Sequence, residues 1–252
     1  MKIAVVTGAS SGIGREFVKQ IANRYRTLDE IWVLARRTER LLELAEEINS
    51  VKIRCFSCDL TDKRRFVKYK NALRKYNPSI RILVNAAGYG IIGTFRELKE
   101  EDNVGMVELN CTALTRMIDI SLPYMSKKQA NIINMASSAA FLPQPSFAVY
   151  AASKSYVLSL SRALNQELKK RHITVTAVCP GPVDTEFFDI AEVYNSVKVY
   201  KKLFRADAKD VVSLALKDAY HKKAVSVYGL SMKGFRLLAK LLPHDLIVRF
   251  IK

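Results

Sequence analysis

Short apolar runs alternate with longer segments of helical periodicity along most of this chain. The apolar runs occupy residues 3–6, 31–35, 51–56, 80–84, 130–136, 173–179 and 224–228, and runs of this length predict β-strands. Between them, apolar side chains recur at helical spacing; examples are Phe17, Ile21 and Ala22, and then Leu41, Leu42, Ala45 and Ile48. This alternation predicts a doubly wound parallel sheet with helices on both faces, a three-layer α/β/α arrangement in a single domain.

A glycine-rich turn, Thr7-Gly8-Ala9-Ser10-Ser11-Gly12-Ile13-Gly14, follows the first predicted strand and precedes the first predicted helix. In a dinucleotide-binding unit, glycines permit the tight turn, the close approach of backbone to the pyrophosphate, and close packing of helix on strand. The helix N-terminus then offers free N–H groups and the positive end of its dipole to the phosphates. The turn therefore predicts a dinucleotide site.

A phenol and an ammonium are paired later in the chain. Tyr150 and Lys154 stand four residues apart, so in a helix they project from the same face. A free phenol, with a pKa of about 10, is a poor base at neutral pH. We expect the neighbouring ammonium to lower the pKa of Tyr150 toward the range that suits acid–base catalysis.

The glycine-rich turn, the segment Asn85-Ala86-Ala87-Gly88 and the Tyr150–Lys154 pair occur in this order. Together they resemble the short-chain dehydrogenase/reductase superfamily, over roughly residues 1–190. The resemblance implies a Rossmann fold, a catalytic domain over residues 1–228, and reversible hydride transfer between a nicotinamide cofactor and a carbonyl or alcohol substrate.

The resemblance also implies catalytic roles for four residues. Tyr150 exchanges a proton with the substrate oxygen, and Lys154 additionally holds the nicotinamide ribose. Ser137, thirteen residues before Tyr150, polarises the substrate carbonyl. Asn110 maintains a helix bend and a water path to the lysine. Because all four positions are filled, catalysis is favoured over two rivals: another reaction on this scaffold, such as epimerisation or dehydration, and a non-catalytic cofactor-binding protein that docks on membrane or nucleic acid.

The cofactor contacts implied by the resemblance are distributed over five segments. They are Gly8, Ser10, Ser11, Gly12, Ile13 and Gly14 in the first turn; Arg36 and Arg37 after the second strand; Asp59 and Leu60 after the third; Asn85, Ala86 and Gly88 after the fourth; and Pro180, Gly181, Val183 and Thr185 near the nicotinamide, besides Tyr150 and Lys154.

The end of the second strand bears on the choice of cofactor. A carboxylate there would bind a free ribose 2′-hydroxyl, whereas Arg36 and Arg37 stand in its place. A guanidinium pairs well with a phosphate monoester. Ser11 is a departure, because NADP-dependent relatives often have a basic residue at that position. We expect NADP(H) to be preferred, with NAD(H) as the alternative.

Composition adds a strong positive charge. The 252 residues carry 41 Lys and Arg against 24 Asp and Glu, a formal net charge of +17. An anionic membrane or a nucleic acid is one reading of such a charge. We favour a solvated basic surface with no nucleic-acid partner, since the dense run Lys63–Lys75 has helical spacing with Phe66, Val67, Ala72 and Leu73 as its apolar face.

Four scattered cysteines suit a reducing compartment, so we expect a cytoplasmic protein. No spacing of the three histidines indicates a metal site.

Two segments depart from the alternation. Residues 186–205 are rich in aromatic side chains. We interpret them either as a lid over an apolar substrate or as residues that pack under the lid against the core.

Residues 229–252 form a basic amphipathic tail, in which Phe235, Leu238, Ala239 and Leu242 share a helical face. We favour packing of this tail within the protein or on a partner subunit over contact with an anionic membrane surface. Relatives commonly form dimers or tetramers through the helices carrying Asn110 and Tyr150, so we expect a homo-oligomer.

Overall fold

Seven parallel strands form the middle layer of the protein, which is described here from a computed structural model covering residues 1–195 and 205–248. The strands are β1 (Lys2–Thr7), β2 (Glu30–Ala35), β3 (Lys52–Ser57), β4 (Ser79–Asn85), β5 (Ala130–Met135), β6 (Ile173–Val178) and β7 (Val225–Ser226). Their order across the sheet is β3-β2-β1-β4-β5-β6-β7. All seven predicted strands are confirmed, although the last is only two residues long. Residues 196–204 of the predicted lid and 249–252 of the tail lie outside the described ranges.

Helices cover both faces of this sheet. They are α1 (Gly12–Arg24), α2 (Thr38–Glu47), α3 (Val67–Tyr76), α4 (Glu100–Val107), α5 (Leu114–Ser121), α6 (Ala148–Glu167), α7 (Phe187–Ala191), α8 (Ala208–Tyr220), α9 (Leu230–Leu241) and α10 (His244–Val248). One core joins the sheet to α1, α2 and α8, and the other joins it to α3, α5 and α6. The predicted three-layer, doubly wound architecture is therefore confirmed.

The apolar composition of the strands follows from burial on both faces. In β1, Ile3 and Val5 enter one core, while Ala4 and Val6 enter the other, because successive side chains of a strand point to opposite faces. The strand order reverses between β1 and β4, and in sheets of this kind the ligand crevice opens at such a reversal, beyond the carboxyl ends of the strands. Topology thus places the turns after β1 and β4 at one crevice.

Two predicted helix faces need correction. On α2, Leu42 is 51% exposed, and the buried pair is Leu41 and Leu44, which lie three residues apart on the same face. On α3, Val67 is exposed and Tyr69 is buried in its place. A tight 3₁₀ turn over Lys63–Phe66 precedes α3, so the helix begins later than the sequence pattern suggests and its inner face is rotated. Most of the basic residues between 63 and 75 are exposed to solvent, as expected.

The C-terminal helix α9 packs through one face only. Phe235 contacts the ring of Phe141, with centroids 6.3 Å apart, and Ala239 is buried. Leu238 and Leu242 do not share this buried face as predicted, and both are substantially exposed. Leu230, Leu237 and Leu241 are also exposed on α9; together with Leu238 these three form what we call the leucine stripe. Within the two described ranges, no helix is long and apolar enough to cross a membrane.

Candidate active site

The glycine-rich turn has the geometry of a phosphate cradle. β1 ends at Thr7 and α1 begins at Gly12, with only four residues between them. Gly8 has a φ of +67°, and a Cβ on it would lie 2.7 Å from the backbone nitrogen of Ala87; a Cβ on Gly14 would lie 2.2 Å from the carbonyl oxygen of Gly8. Neither position has space for a side chain. The backbone N–H groups at the start of α1 are therefore open to a phosphate.

Side-chain hydrogen bonds tie the first turn to the segment after β4. The Thr7 hydroxyl oxygen accepts from the backbone N–H groups of Ala86 and Ala87, at 3.1 and 3.2 Å. The Asn85 amide donates to the Asn134 side chain at 2.8 Å, which fixes the end of β4 against β5. These bonds bring the predicted contacts after β1 and β4 to the same crevice.

The loop after β6 reaches this crevice from the other side. A Cβ on Gly12 would lie 3.2 Å from the Thr185 side chain, and the Ser138 N–H donates to the Pro180 carbonyl oxygen at 2.8 Å. Of the remaining predicted cofactor residues, Leu60 is buried, and Ile13 packs partly into the core beside α1. Asp59 accepts hydrogen bonds from the backbone and side chain of Thr61, at 3.0 and 2.7 Å.

Tyr150 and Lys154 lie one turn apart on α6, and both are buried. The Ser137 hydroxyl, whose interaction with the phenol partly offsets the rise in the pKa of Tyr150, follows β5 and caps a short 3₁₀ turn by accepting from the Ala139 N–H at 3.1 Å. The Lys154 ammonium donates to the Met135 carbonyl oxygen at 2.9 Å and lies 5.6 Å from the centroid of the Tyr150 ring. The structure thus brings the predicted phenol, hydroxyl and ammonium together.

The pKa of Tyr150 does not move in the expected direction. Burial raises it to about 12, and the interaction with Ser137 opposes this rise only in part. Burial also lowers the pKa of Lys154 to about 8. The prediction that the Lys154 ammonium lowers the pKa of Tyr150 is therefore wrong for the protein alone. Desolvation of the phenol dominates, and the ammonium donates a hydrogen bond to the Met135 carbonyl oxygen.

Asn110 is buried in a π-helical stretch, Glu108–Ala113, between α4 and α5. Its amide donates to the Tyr89 carbonyl oxygen at 2.9 Å and to Ser153 at 3.0 Å, and its oxygen accepts from the Tyr89 N–H at 3.1 Å. A Cβ on Gly88 would lie 2.8 Å from this oxygen and 3.2 Å from the Lys154 nitrogen. The predicted asparagine therefore lies beside the lysine in a helix distortion, and π-helical distortions are frequent at functional sites.

Apolar side chains surround the tyrosine. Ile91, Leu98 and Met106 are buried in one cluster with Tyr150. The Phe147 ring stacks on Tyr150 at a centroid distance of 4.3 Å, and Phe187 at the start of α7 lies 5.5 Å away. Phe187 therefore connects the first part of the predicted lid directly to the catalytic tyrosine candidate.

An ion-pair cluster occupies the opposite end of the crevice. Arg37 donates to the hydroxyls of Ser10 and Ser11, at 3.3 and 2.6 Å, and to the Glu186 carboxylate at 2.9 Å. Arg40 pairs with the other oxygen of Glu186. The hydrogen bonds from Arg40 and Arg37 lower the pKa of Glu186.

Sequence reasoning missed two members of this cluster, Arg40 and Glu186. For Arg40 a signal exists, because it lies three residues after Arg37 at a helix start, where such residues share a face. Nothing local identifies Glu186, which comes from a segment 149 residues beyond Arg37 in the chain. Arg36 is oriented differently from Arg37: its charge acts on Asp59 and Tyr89.

A phosphate cradle, a buried tyrosine–lysine pair and a strand-end serine at the crevice of a doubly wound sheet define a dinucleotide-dependent type of enzyme. The sequence profile of the short chain dehydrogenases matches residues 2–192. The chain belongs to the short chain dehydrogenase family and is an oxidoreductase.

Individual relatives agree with this assignment. An uncharacterized oxidoreductase from Staphylococcus epidermidis is 31% identical over 221 residues, which cover 87% of this chain and 93% of that protein. A short-chain dehydrogenase from Sphingobium yanoikuyae, solved in complex with NADPH, is similar with a TM-score of 0.79 and 28% identity, covering 96% of each chain. The bulky-bulky ketone specific alcohol dehydrogenase from Comamonas testosteroni gives a TM-score of 0.76 and 27% identity over 96% of this chain and 95% of that one.

Proposed function

We propose that this oxidoreductase is an NADP(H)-dependent carbonyl reductase or alcohol dehydrogenase whose substrates are apolar. The observation that carries the proposal is the buried Tyr150 phenol, one helical turn from the buried Lys154 ammonium and within an apolar enclosure. The glycine positions fit a dinucleotide site, since Gly8 and Gly14 let the segment after β4, the first turn and α1 pack too closely for a Cβ, which holds the N-terminus of α1 at the crevice where a phosphate can bind. When bound, the nicotinamide supplies or accepts the hydride.

The protein's own side chains supply the proton and stabilise the groups that transfer it. Because burial raises the pKa of Tyr150 to about 12, the phenol is protonated at neutral pH and is ready to donate to a carbonyl oxygen as negative charge develops there. The Ser137 hydroxyl polarises the same oxygen. Lys154 and Asn110 position the tyrosine and the cofactor ribose, and Lys154 supplies the positive charge that favours the phenolate after transfer.

Support for NADP(H) comes from the arginines at the adenosine end. Arg37 donates to the Ser10 and Ser11 hydroxyls, Arg40 shares the Glu186 carboxylate with it, and residues 35–37 contain no carboxylate. Such a group of donors suits a phosphate monoester. The complex of the Sphingobium relative with NADPH is consistent with this preference. With NADP(H) preferred, NAD(H) remains the weaker cofactor.

The substrate class follows from the surroundings of Tyr150. Phe147, Phe187, Ile91, Leu98 and Met106 present carbon surface, and residues 186–195 are the described part of a lid over that surface. The ketone specificity of the Comamonas relative supports a ketone substrate. A non-catalytic protein docking on nucleic acid or membrane is not favoured, because it would not need this arrangement.

The experiment is a panel of ketones and aldehydes assayed by NADPH absorbance with wild type and Tyr150→Phe. Losing the phenol proton should reduce turnover of the best substrate by about 10²–10⁴-fold, with cofactor affinity by fluorescence titration unchanged. Tyr156→Phe is the matched control, since Tyr156 lies on the same helix with its hydroxyl on Thr115. Wild-type turnover by Tyr150→Phe would remove that residue from its role.

We further propose a cytoplasmic homo-oligomer in which a second copy covers the leucine stripe. Four exposed leucines on one helix are more apolar surface than monomers usually leave uncovered, and all four cysteines are free, as in a reducing compartment. Leu237→Glu combined with Leu241→Glu should lower the particle mass by light scattering while NADPH binding is kept. An unchanged mass, with salt-sensitive pelleting of wild type on anionic vesicles, would mean that the stripe contacts membrane instead.

A further inference from the structure

Glu186 lies between the two arginines that are proposed to hold the 2′-phosphate. One carboxylate oxygen accepts from Arg37 at 2.9 Å, and the other accepts from Arg40. The same Arg37 guanidinium donates to Ser10 and Ser11 of the glycine-rich turn. An anionic side chain of the protein thus occupies the cationic end of the cofactor crevice.

The fold does not depend strongly on this contact. The side chains of Arg37, Arg40 and Glu186 are between 40% and 44% exposed, and exposed ion pairs contribute little to stability. A phosphate monoester carries more negative charge than a carboxylate and has three acceptor oxygens. The two arginines can therefore exchange Glu186 for a phosphate at small cost.

The segment that carries Glu186 also reaches the other end of the crevice. Thr185, immediately before it, lies against the Gly12 position. Phe187, immediately after it, begins α7 and packs on the Tyr150 ring. A contact at the adenosine end is therefore linked by adjacent residues to the loop near the nicotinamide and to the catalytic tyrosine candidate.

We propose that Glu186 acts as an internal substitute for the 2′-phosphate: it holds residues 185–191 against the arginines until NADP displaces it. This inference rests on the proposed NADP preference and adds a specificity-determining residue to it. A cofactor without the 2′-phosphate leaves the ion pairs in place. Discrimination then arises both from the bonds that the 2′-phosphate forms with the arginines and from the release of this segment.

Binding of two cofactor fragments tests the proposal without turnover. Adenosine 2′,5′-bisphosphate carries the 2′-phosphate and ADP lacks it, so their dissociation constants are compared by calorimetry. Glu186→Gln removes the internal anion and should tighten the bisphosphate about two- to fivefold, with ADP unchanged. Asp184→Asn is the matched control, because Asp184 belongs to the same loop and pairs with Arg205, away from these arginines. It should change neither ligand.

Hydrogen exchange gives the second readout. In wild type, the bisphosphate should speed amide exchange over residues 186–191, and ADP should not; Glu186→Gln should show fast exchange without ligand. If Glu186→Gln weakens both fragments equally, Glu186 is a contact that closes the crevice, and the proposal is wrong. Equal affinities in Glu186→Gln and wild type would also overturn it.

The NADP preference is tested separately. It fails if wild type binds adenosine 5′-monophosphate, which differs from the bisphosphate only in lacking the 2′-phosphate, as tightly as the bisphosphate, or if Arg37→Ala leaves that difference intact. Failure of the Glu186 measurements alone would leave the preference standing, so the two results are distinguishable.

Discussion

The two ends of the cofactor crevice are built differently. At the catalytic end, Tyr150, Lys154 and Asn110 are buried; hydrogen bonds hold Lys154 and Asn110, and the Phe147 ring stacks on Tyr150. At the adenosine end, Arg37 and Glu186 form ion pairs that are more than two-fifths exposed. Burial shifts the pKa values of groups at the catalytic end, whereas the charged groups at the adenosine end remain in contact with water.

This difference separates the two tasks of the site. Buried polar groups have few alternative partners, so removing one leaves an unsatisfied neighbour and has a large effect. Exposed charges exchange partners at small cost, which suits a position where an anion must enter and leave. We therefore expect substitutions at the catalytic end to change chemistry, and substitutions of the arginines that pair with Glu186 to change only the choice between cofactors.

Lys154→Met should have the largest effect on this comparison. It replaces a buried ammonium with an apolar side chain of similar length, removing both the charge that stabilises the phenolate and a proposed ribose contact. Turnover should fall by about 10²–10³-fold, and both NADPH and NADH should bind more weakly by fluorescence titration. Lys217→Met, an exposed residue of α8, should leave both unchanged.

The pH profile of reduction sharpens the same point. Because the pKa of Lys154 is lowered to about 8, its ammonium is present below that pH and is lost as the pH rises through it. Reduction should therefore be flat between about pH 6 and 7 and decline above about pH 8 in wild type. The Lys154→Met profile should lack this decline. If the Lys154→Met variant shows the same decline, the decline arises from the titration of a group other than Lys154.

Arg37→Ala should have a smaller and more selective effect. Removing a guanidinium that faces the Ser10 and Ser11 hydroxyls should weaken NADPH about tenfold, which corresponds to about 1.4 kcal/mol, and leave NADH nearly unchanged. Arg36→Ala is the comparison, because the charge of Arg36 acts on Asp59 and Tyr89; this substitution should affect both cofactors alike. Equal weakening of both cofactors by Arg37→Ala would contradict the proposed division of the crevice.

Most of the fold could be predicted from the sequence, because it depends on local patterns. Strands buried on both faces appear as continuous apolar runs, and the glycine-rich turn has a sequence that few other backbones require. The residues of the catalytic centre could be proposed because the order and spacing of the motifs resemble those of a known family, and Tyr150 and Lys154 share one helix. Their pKa values could not, because these depend on how much water the folded protein removes from each group.

Contacts between residues far apart in the chain could not be predicted from the sequence either. Nothing near Glu186 indicates that it meets Arg37 and Arg40, because the contact depends on the loop after β6 returning to the first turn. The tail shows a related limit. Helical spacing alone placed Leu238 with Phe235 and Ala239, but α9 packs through a face narrow enough to leave Leu238 in solvent.

The packing of α9 has one further consequence. Met232, on its inner side, lies against Gly181, so that a Cβ there would be 3.0 Å from its sulfur. The helix that carries the leucine stripe therefore supports the loop proposed to lie near the nicotinamide. If a second copy covers that stripe and shifts α9 against Gly181, subunit association and cofactor binding are coupled, and each changes the affinity of the other by the same factor. The cofactor affinity of this protein would then depend on protein concentration, and the fraction of assembled protein would depend on the concentration of the cofactor.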